Sequence, residues 1–209
     1  MRTDYLRNRM YWKVVYYGAG LCGKTTNLIE VEKTIPPTHR DNLVLYETDE
    51  ERTYYLDNLD FNLGKKGQFD IRVRLYTVPG QSHYAKTRRE VLKDVDAVIF
   101  VADSQPEIFD SNIASKNELA KYLGEQNTEL ESIPYVLQLN KRDIPGALPT
   151  AQLTDALKIG KSPVVPAVAV QGLGIMSTLN EVLKLSVPII HKKIEYIQKK
   201  RGLMPEKIG

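Results

Sequence analysis

A phosphate-binding pattern lies near the start of the chain. Residues Gly18 to Thr25 read Gly-Ala-Gly-Leu-Cys-Gly-Lys-Thr and fit the spacing G-x-x-x-x-G-K-[ST] at every fixed position. Such glycines let backbone N–H groups surround a polyphosphate at the N-terminus of a helix. Lys24 would then contact the β- and γ-phosphates, and the Thr25 hydroxyl would bind Mg²⁺. The pattern predicts a site for a nucleoside triphosphate.

The flanks of this pattern distinguish a phosphate loop from an ordinary glycine-rich turn. Trp12 to Tyr17 read as a strand, and Thr26 to Lys33 read as a helix. A strand before the glycines and a helix after them form the context in which the pattern binds phosphate. We therefore favour the phosphate loop.

A second polar group, Asn140-Lys141-Arg142-Asp143, follows a strand predicted over Tyr135–Leu139. The Asp143 carboxylate can accept hydrogen bonds from N1–H and the 2-amino group of guanine, whereas adenine carries neither donor. A site of this kind can discriminate by roughly 10⁴ to 10⁵. A solvated charge cluster at a strand end is the alternative, but the position behind a phosphate loop favours guanine. Ala169, after the last predicted strand, would offer its backbone N–H to the guanine carbonyl.

A third motif, Thr77-Val78-Pro79-Gly80-Gln81, ends a strand with alternating apolar residues. Gly80 has no side chain, so its N–H can approach a γ-phosphate closely. Gln81 would orient the attacking water. Alone, the segment would read as a simple Pro-Gly turn. Its place in the order of strands favours a role at the nucleotide.

Strands alternate with helices along the chain, which predicts an α/β fold with a mostly parallel sheet covered on both faces. The exception is a β-hairpin with arms Tyr54–Leu63 and Gln68–Val78 and a turn at Gly64–Gly67. The other predicted strands are Ala97–Val101, Tyr135–Leu139 and Val164–Val168. The predicted helices after the hairpin are Tyr84–Lys93, Glu107–Leu123, Thr150–Lys158 and one from Ile175 into the tail.

Composition excludes several classes of protein. With 209 residues and a formal net charge of +3, the chain suits one substantial core and is too weakly basic to indicate nucleic acid. No apolar run reaches about 18 residues, and the N-terminus lacks a signal core and a glycine for myristoylation. The single cysteine, Cys22, leaves no thiol for a disulfide or for C-terminal prenylation. We expect a cytoplasmic protein without a lipid anchor.

These motifs together resemble the Ras-like small GTPases over Trp12 to Leu183. Within that family, the runs Tyr16–Leu28, Asp49–Thr53, Leu75–Gln81 and Asn140–Asp143 are similar to the MglA-type GTPases, which control bacterial polarity and gliding motility. The resemblance implies a P-loop G domain with a six-stranded, mostly parallel sheet, one antiparallel edge strand and helices on both faces. It also implies a monomeric switch that binds GTP or GDP with Mg²⁺ and hydrolyses GTP slowly.

The resemblance assigns residues to the nucleotide and divides the chain. The nucleotide-binding residues are Gly18, Ala19, Gly20, Leu21, Cys22, Gly23, Lys24, Thr25, Thr26, Thr53, Gly80, Asn140, Lys141, Asp143, Ala169 and Val170. We expect an N-terminal arm at 1–11, the G domain at 12–185 and a basic helical extension at 186–209.

Two departures from the wider Ras-like pattern affect the expected site. Most Ras-like proteins carry Asp at the position of Thr77. MglA-type proteins carry Thr there, as this chain does. A neutral hydroxyl holds metal-bound water less tightly than a carboxylate, so Mg²⁺ would depend more on Thr25 and Thr53. Val168-Ala169-Val170 replaces the usual Ser-Ala-Lys, which leaves mainly a backbone role for Ala169.

Arg52 joins Gln81 as a candidate catalytic residue. MglA-type proteins place an intrinsic arginine finger directly before the Mg²⁺-binding threonine, and Arg52-Thr53 matches that arrangement. An arginine near the γ-phosphate can accelerate hydrolysis by roughly 10³ to 10⁵. A solvated arginine in an acidic loop is the alternative.

The resemblance also implies partners and a location. A roadblock-fold dimer would stimulate hydrolysis without donating an arginine, and response-regulator-type or cytoskeletal polarity effectors would bind the active state. Recruitment to cell poles or to the membrane surface is expected from the same resemblance.

Other functions fit parts of the sequence. The missing carboxylate at Thr77 would suit a scaffold that binds GTP but barely hydrolyses it. Asp103 would suit an ATPase, although an Asp that caps the next helix explains it as well. The tail, with Lys192, Lys193 and several isoleucines, would suit contact with anionic lipid or a partner, but we favour a packed helix with one solvated face.

Overall fold

The computed structural model describes residues 1–44, 57–80 and 84–200. Its strands form one seven-stranded sheet. They are Arg2–Asp4 (β1), Arg9–Tyr17 (β2), Asn58–Lys66 (β3), Phe69–Thr77 (β4), Ala97–Asp103 (β5), Tyr135–Asn140 (β6) and Val164–Pro166 (β7). The helices are Lys24–Thr34 (α1), Ala85–Leu92 (α2), Phe109–Gly124 (α3), Thr150–Leu157 (α4) and Ile175–Lys200 (α5).

The sheet confirms the predicted α/β architecture. Its strand order is β3-β4-β2-β5-β6-β7, with β1 beside β2. The strands from β4 to β7 in this order pair in parallel, and β3 is the antiparallel edge strand. Because parallel strands end at the same edge, the loops after β2, β4, β5 and β6 lie together. We call this side of the sheet the nucleotide edge.

Side chains on the central strand explain why helices cover both faces. Along β2, Trp12, Val14 and Tyr16 are buried in a cluster with α1 and α5. The alternate residues Val15 and Tyr17 are buried against α2, α3 and α4. A strand that carries apolar side chains on both of its faces needs a helical layer on each side of the sheet. No helix in the described ranges is both long and apolar enough to cross a membrane.

The hairpin differs from its prediction in the position of the turn. Strand β3 continues through Gly64 to Lys66, and the turn falls at Gly67 and Gln68. A register shift between Asn62 and Gly64 keeps Gly64 in the strand, with φ 112°. The glycine therefore serves a bulge, which adds a residue to one strand, and does not begin the turn.

The expected boundaries at residues 11 and 185 do not coincide with breaks in the structure. Residues 2–4 form β1, a seventh strand that the sequence did not predict, and it pairs antiparallel with the start of β2. Helix α5 passes residue 185 without interruption, and Ile190 and Ile194 are buried in the core beside β2. The Lys193 ammonium lies 5.4 Å from the centroid of the Trp12 ring. The described part of the tail therefore packs as one face of the domain.

We predict that Ile194→Ala lowers the free energy of unfolding by about 2–5 kcal/mol, because it leaves a cavity beneath a fully buried side chain. Urea denaturation measures the change. The matched control is Tyr196→Ala on the same helix, where the side chain is 66% exposed and little stability should be lost. Equal loss in both variants would contradict the packing of α5 as part of the core.

Candidate nucleotide-binding site

The loop between β2 and α1 is built around glycines that no other residue could replace without strain. Gly18 has φ 147°, and a Cβ there would lie 2.2 Å from the carbonyl oxygen of Val101. Gly23 has φ 101°, and its Cβ would lie 2.3 Å from Nδ2 of Asn140. These close approaches seat the loop directly on the ends of β5 and β6.

Lys24, the first residue of α1, directs its ammonium group back into this loop. Nζ donates to the carbonyl oxygens of Gly18 at 3.0 Å and Ala19 at 2.7 Å, and the residue is 7% exposed. A cation held by backbone carbonyls inside this loop is suited to polyphosphate. Cys22 is fully buried beside it, and burial raises the pKa of its thiol, so this cysteine is a packing residue.

A carboxylate that the sequence analysis missed lies between Thr25, an expected metal ligand, and Thr77. Asp57, directly before β3, accepts hydrogen bonds through Oδ2 from Thr25 Oγ1 at 2.6 Å and from Thr77 Oγ1 at 3.0 Å. Asp57 is 2% exposed. Carboxylate and hydroxyl oxygens are ligands that Mg²⁺ accepts together with phosphate oxygens.

The position of Asp57 follows from the antiparallel register. Thr77 N donates to Asp57 O at 3.1 Å, so the two residues face each other across β3 and β4. The sequence carried one usable signal, an acidic residue in the first arm of the hairpin opposite the threonine that replaces the usual Asp. Because the sequence placed the hairpin turn at Gly64–Gly67, the pairing of Asp57 with Thr77 could not be assigned from it.

The amide of Asn140 joins three loops at the nucleotide edge. Nδ2 donates to the carbonyl oxygen of Cys22 at 2.8 Å, and Oδ1 accepts from the backbone N–H of Ala169 at 2.9 Å. Asn140 is 1% exposed. The Ala169 N–H that we expected to meet guanine therefore already has an acceptor. A guanine carbonyl would share it or use the next amide, of Val170.

A cavity of about 270 Å³ opens beside this amide. Its lining comprises Leu21, Gly23, Thr26, Asn140, Lys141, Asp143, Ile144, Val168, Ala169 and Val170. Asp143 is exposed, so its carboxylate is accessible to a base. The cavity thus combines apolar walls with one accessible carboxylate, as a nucleobase site requires.

Asp103 has structural partners in this structure. Its Oδ2 pairs with Lys141 Nζ at 2.5 Å, and its Oδ1 accepts from the backbone N–H of Gln105 at 3.0 Å. The carboxylate thus holds Lys141, whose φ is 62°, beside the cavity. The expected cap is not formed, because the short 3-10 helix Pro106–Ile108 and α3 both begin without a side-chain capping hydrogen bond. The contacts of Asp103 give it a structural role as the ion-pair partner of Lys141.

Gly80 packs against the phosphate loop, and a Cβ on it would lie 2.4 Å from Cα of Gly20. The preceding carbonyl, of Pro79, accepts from Arg88 Nη1 on α2 at 3.3 Å. Arg88 also donates through Nη2 to Oε1 of Glu118 on α3 at 2.8 Å. Contacts with the phosphate loop and with α2 thus fix Pro79 and Gly80.

Glu118 connects this segment to the strand that carries the phosphate loop. Its Oε2 accepts from the Tyr17 hydroxyl at 2.7 Å, and its Oε1 accepts from Tyr122 at 2.8 Å. Burial alone would raise the pKa of Glu118, but hydrogen bonds from Arg88, Tyr17 and Tyr122 outweigh burial and lower it. The carboxylate therefore stays charged at neutral pH and ties β2, α2 and α3 together.

Three predicted site residues, Arg52, Thr53 and Gln81, lie outside the described residues. The other predicted residues lie in the described part of the chain at the nucleotide edge. Leu21 lies there with its side chain 92% exposed, and Val170 with its side chain 76% exposed.

Comparison with known proteins defines the class. The model of the ADP-ribosylation factor (Arf) family matches residues 4–187. The chain therefore belongs to the Arf family of small GTPases, and this membership confirms the predicted GTPase activity.

Two relatives show where the chain stands within this class. It is 41% identical over 189 residues to the mutual gliding-motility protein MglA of Myxococcus xanthus (strain DK1622), which covers 90% of this chain and 97% of that protein. It is 29% identical over 102 residues to ADP-ribosylation factor-like protein 8b of Arabidopsis thaliana, which covers 49% of this chain and 53% of that protein. The first match confirms the resemblance to MglA-type GTPases.

We predict that Asp143→Asn weakens GDP binding by several kcal/mol, because the charge-assisted hydrogen bonds to guanine are lost. Displacement of a fluorescent GDP measures the affinity, and ATP should not displace it from the unmodified protein. Xanthosine diphosphate is the control, since its 2-carbonyl can accept from the new amide and binding should recover. Loss of both nucleotides would point to a folding defect, and unchanged GDP affinity would contradict the assignment.

We predict that Asp57→Asn lowers the affinity of the nucleotide-bound protein for Mg²⁺ about tenfold to hundredfold, as expected when a carboxylate beside a metal site is lost. Nucleotide release measured against EDTA concentration reports the change. Asp60→Asn is the matched control, because Asp60 lies on β3 but pairs with Arg74 at 2.8 Å.

A compensating variant makes this test sharper. Thr77→Asp alone would put two carboxylates side by side and raise the pKa of one of them. The double variant Asp57→Asn/Thr77→Asp moves the single carboxylate from residue 57 to residue 77, its partner across the two strands. The EDTA dependence of nucleotide release should then return towards that of the unmodified protein. If the Asp57 and Asp60 variants behave alike, Asp57 is remote from the metal.

Proposed function

We propose that this protein is a GTP-driven switch that controls polarity or gliding motility in a bacterium, as the name of its relative, the mutual gliding-motility protein MglA, suggests. The observation that best supports this is the convergence of three loops at the nucleotide edge. Thr25 meets Asp57 at 2.6 Å, and Asn140 meets Cys22 at 2.8 Å. Phosphate, metal and base subsites would therefore be adjacent.

In this proposal the nucleotide lies along the phosphate loop with its base in the cavity beside Asn140. Lys24 neutralises charge on the phosphates, and the backbone from Gly18 to Thr26 donates N–H groups to them. Asp143 accepts from guanine, and Lys141, held by Asp103, packs beside the base. Specificity for guanine follows from the carboxylate, which adenine would leave without a partner.

Asp57 would take over part of the role of the carboxylate that Thr77 lacks. Mg²⁺, when bound, neutralises charge on the β- and γ-phosphates. The residues proposed to hold it are Thr25, Thr53 and Asp57. Thr77 then keeps Asp57 oriented through its hydroxyl and its backbone N–H.

This relocation bears on the alternative of a hydrolysis-deficient scaffold. That alternative was motivated by the neutral residue at Thr77. A buried carboxylate 3.0 Å from the Thr77 hydroxyl supplies a negative charge close to where Ras-like proteins have one. The reason to expect a defective metal site is therefore weaker, and an active switch is the better proposal.

Hydrolysis is proposed to use Arg52 and Gln81. Gln81 would orient the attacking water, and Arg52 would stabilise charge that develops on the γ-phosphate. Because the arginine belongs to the same chain, a roadblock-fold dimer would only need to favour the conformation that brings it to the phosphate. Response-regulator-type or cytoskeletal effectors would bind the GTP state, in the cytoplasm or at cell poles.

Coupling between nucleotide and effectors is proposed to pass through Gly80. A γ-phosphate that accepts a hydrogen bond from the Gly80 N–H would displace Gly80 from its contact with Gly20. Pro79 would move with it, and the carbonyl of Pro79 accepts from Arg88. Arg88 belongs to α2, so the change would reach a surface helix. A local phosphate contact then gives a rearrangement that a partner can recognise.

We predict that Arg52→Ala and Gln81→Ala each lose most partner-stimulated hydrolysis, by about 10³-fold for the arginine, and keep nucleotide and partner affinity. The measurement is single-turnover GTP hydrolysis with a saturating roadblock-fold protein. Glu51→Ala is the matched control from the same loop and should remain stimulated. Stimulated hydrolysis of Arg52→Ala at the unmodified rate would contradict the arginine finger. An unmodified protein that no partner accelerates would favour the scaffold.

A further inference from the structure

A buried hydrogen-bond network links α1 to β6 and α5 beneath the phosphate loop. Asn27 Nδ2 on α1 donates to Gln138 Oε1 on β6, and Gln138 Nε2 donates to Asn27 Oδ1, both at 2.9 Å. Gln138 Nε2 also donates to Thr178 Oγ1 on α5 at 2.9 Å, and Thr178 Oγ1 donates to the carbonyl oxygen of Gly174 at 2.7 Å. All three side chains are fully buried. Because a buried amide is costly to leave without partners, the pairing fixes the orientation of both amides.

The network reaches the phosphate loop through one carbonyl group. The carbonyl oxygen of Gly23 accepts from Asn27 Nδ2 at 2.9 Å, in addition to the backbone N–H of Asn27 at 3.0 Å. The backbone bond is the ordinary bond of a helix, whereas the bond from Nδ2 is an addition that the asparagine side chain supplies. Asparagine is a weak helix former, because its amide competes for backbone groups. Here the amide of Asn27 is used to hold the junction between the phosphate loop and α1.

The direction of the Gly23 carbonyl determines the direction of the next N–H group. A peptide unit is planar and trans, so the N–H of Lys24 points opposite to the carbonyl of Gly23. The carbonyl is turned towards Asn27 inside α1, and the N–H is consequently turned towards the interior of the loop, where the phosphates would bind. A carbonyl that accepts a hydrogen bond also makes the N–H of its own peptide a stronger donor. The Asn27 amide therefore both directs and strengthens this donor.

Asn140 holds the preceding peptide in the same way. Its Nδ2 donates to the carbonyl oxygen of Cys22 at 2.8 Å, which directs the N–H of Gly23. Gln138 lies two residues before Asn140 on β6, so both side chains are on one face of the strand. Because Gln138 holds Asn27, strand β6 positions the amides that direct two consecutive N–H groups of the loop.

We propose that Asn27 is a positioning residue that slows nucleotide release. Its amide, held by Gln138, keeps the N–H of Lys24 directed at the phosphates. Asn27 does not touch the nucleotide and acts through the peptide between Gly23 and Lys24. Thr178 supports the network from α5. The proposal rests on the proposed nucleotide site, and it depends neither on the role in polarity nor on the residues proposed for hydrolysis.

The rate of GDP release from the full chain tests the proposal. Asn27→Leu removes the bond to Gly23 and leaves the Gln138 amide half-paired. A fluorescent GDP should then dissociate about three- to tenfold faster, and stability to urea in a fixed excess of GDP should fall. The double variant Asn27→Leu/Gln138→Met replaces both amides by apolar side chains of similar size, which should restore most of the stability while release stays fast. Fast release from a stable variant separates positioning from folding.

Two single variants should show the opposite order of effects. Gln138→Met leaves Asn27 half-paired but keeps its bond to Gly23, so stability should fall and release should change less than in Asn27→Leu. Tyr135→Phe, at the other end of β6, removes the bond from its hydroxyl to the Leu157 carbonyl at 3.0 Å, and release should be unchanged.

Two results would overturn the role of Asn27 and leave the nucleotide site intact. The first is release from Asn27→Leu at the unmodified rate. The second is a release rate that follows stability in all four variants, which would make the network purely structural. An unmodified protein that does not bind GDP would overturn the nucleotide site itself, and the role of Asn27 with it.

Discussion

The buried amide of Asn140 is the interaction on which the nucleotide edge depends. It donates to Cys22 in the phosphate loop and accepts from Ala169 after β7, so one side chain fixes three loops. Gly23 can approach it only because glycine has no Cβ. Any other side chain at either position would leave a buried donor or acceptor without a partner, at a cost of about 1–3 kcal/mol each. The geometry of the base cavity follows from this amide.

The proposed metal site depends on where a negative charge lies, and less on which strand carries it. In this chain the carboxylate is on Asp57 and the hydroxyl on Thr77, and the antiparallel register of β3 and β4 brings them together. On its outer side β3 is held by backbone hydrogen bonds with Asp41 and Val44. A displacement of β3 would break these bonds and remove the Asp57 carboxylate from Thr25, so the proposed metal affinity would change together with conformation.

The sequence was sufficient for features that depend on local residues and failed for those that depend on register. The glycines of the phosphate loop and the Asn140 motif predicted loops at strand ends, because their spacing is local. Asp57 was missed because a bulge at Gly64 shifts the hairpin register. Strand β1 was missed because three residues, Arg2–Asp4, carry no periodicity. The hydrogen bond from the Ala169 N–H to Oδ1 of Asn140 was not predicted, because a contact between residues 29 positions apart cannot be read from sequence.

The two edges of the sheet are built differently. The nucleotide edge is made of loops that follow strands, and glycines there allow close backbone contacts. The opposite edge is made of two hairpin turns and the end of α5, which Ile190 and Ile194 anchor in the core. Because β2 runs from one edge to the other, the packing of α5 against β2 also supports the strand that leads into the phosphate loop.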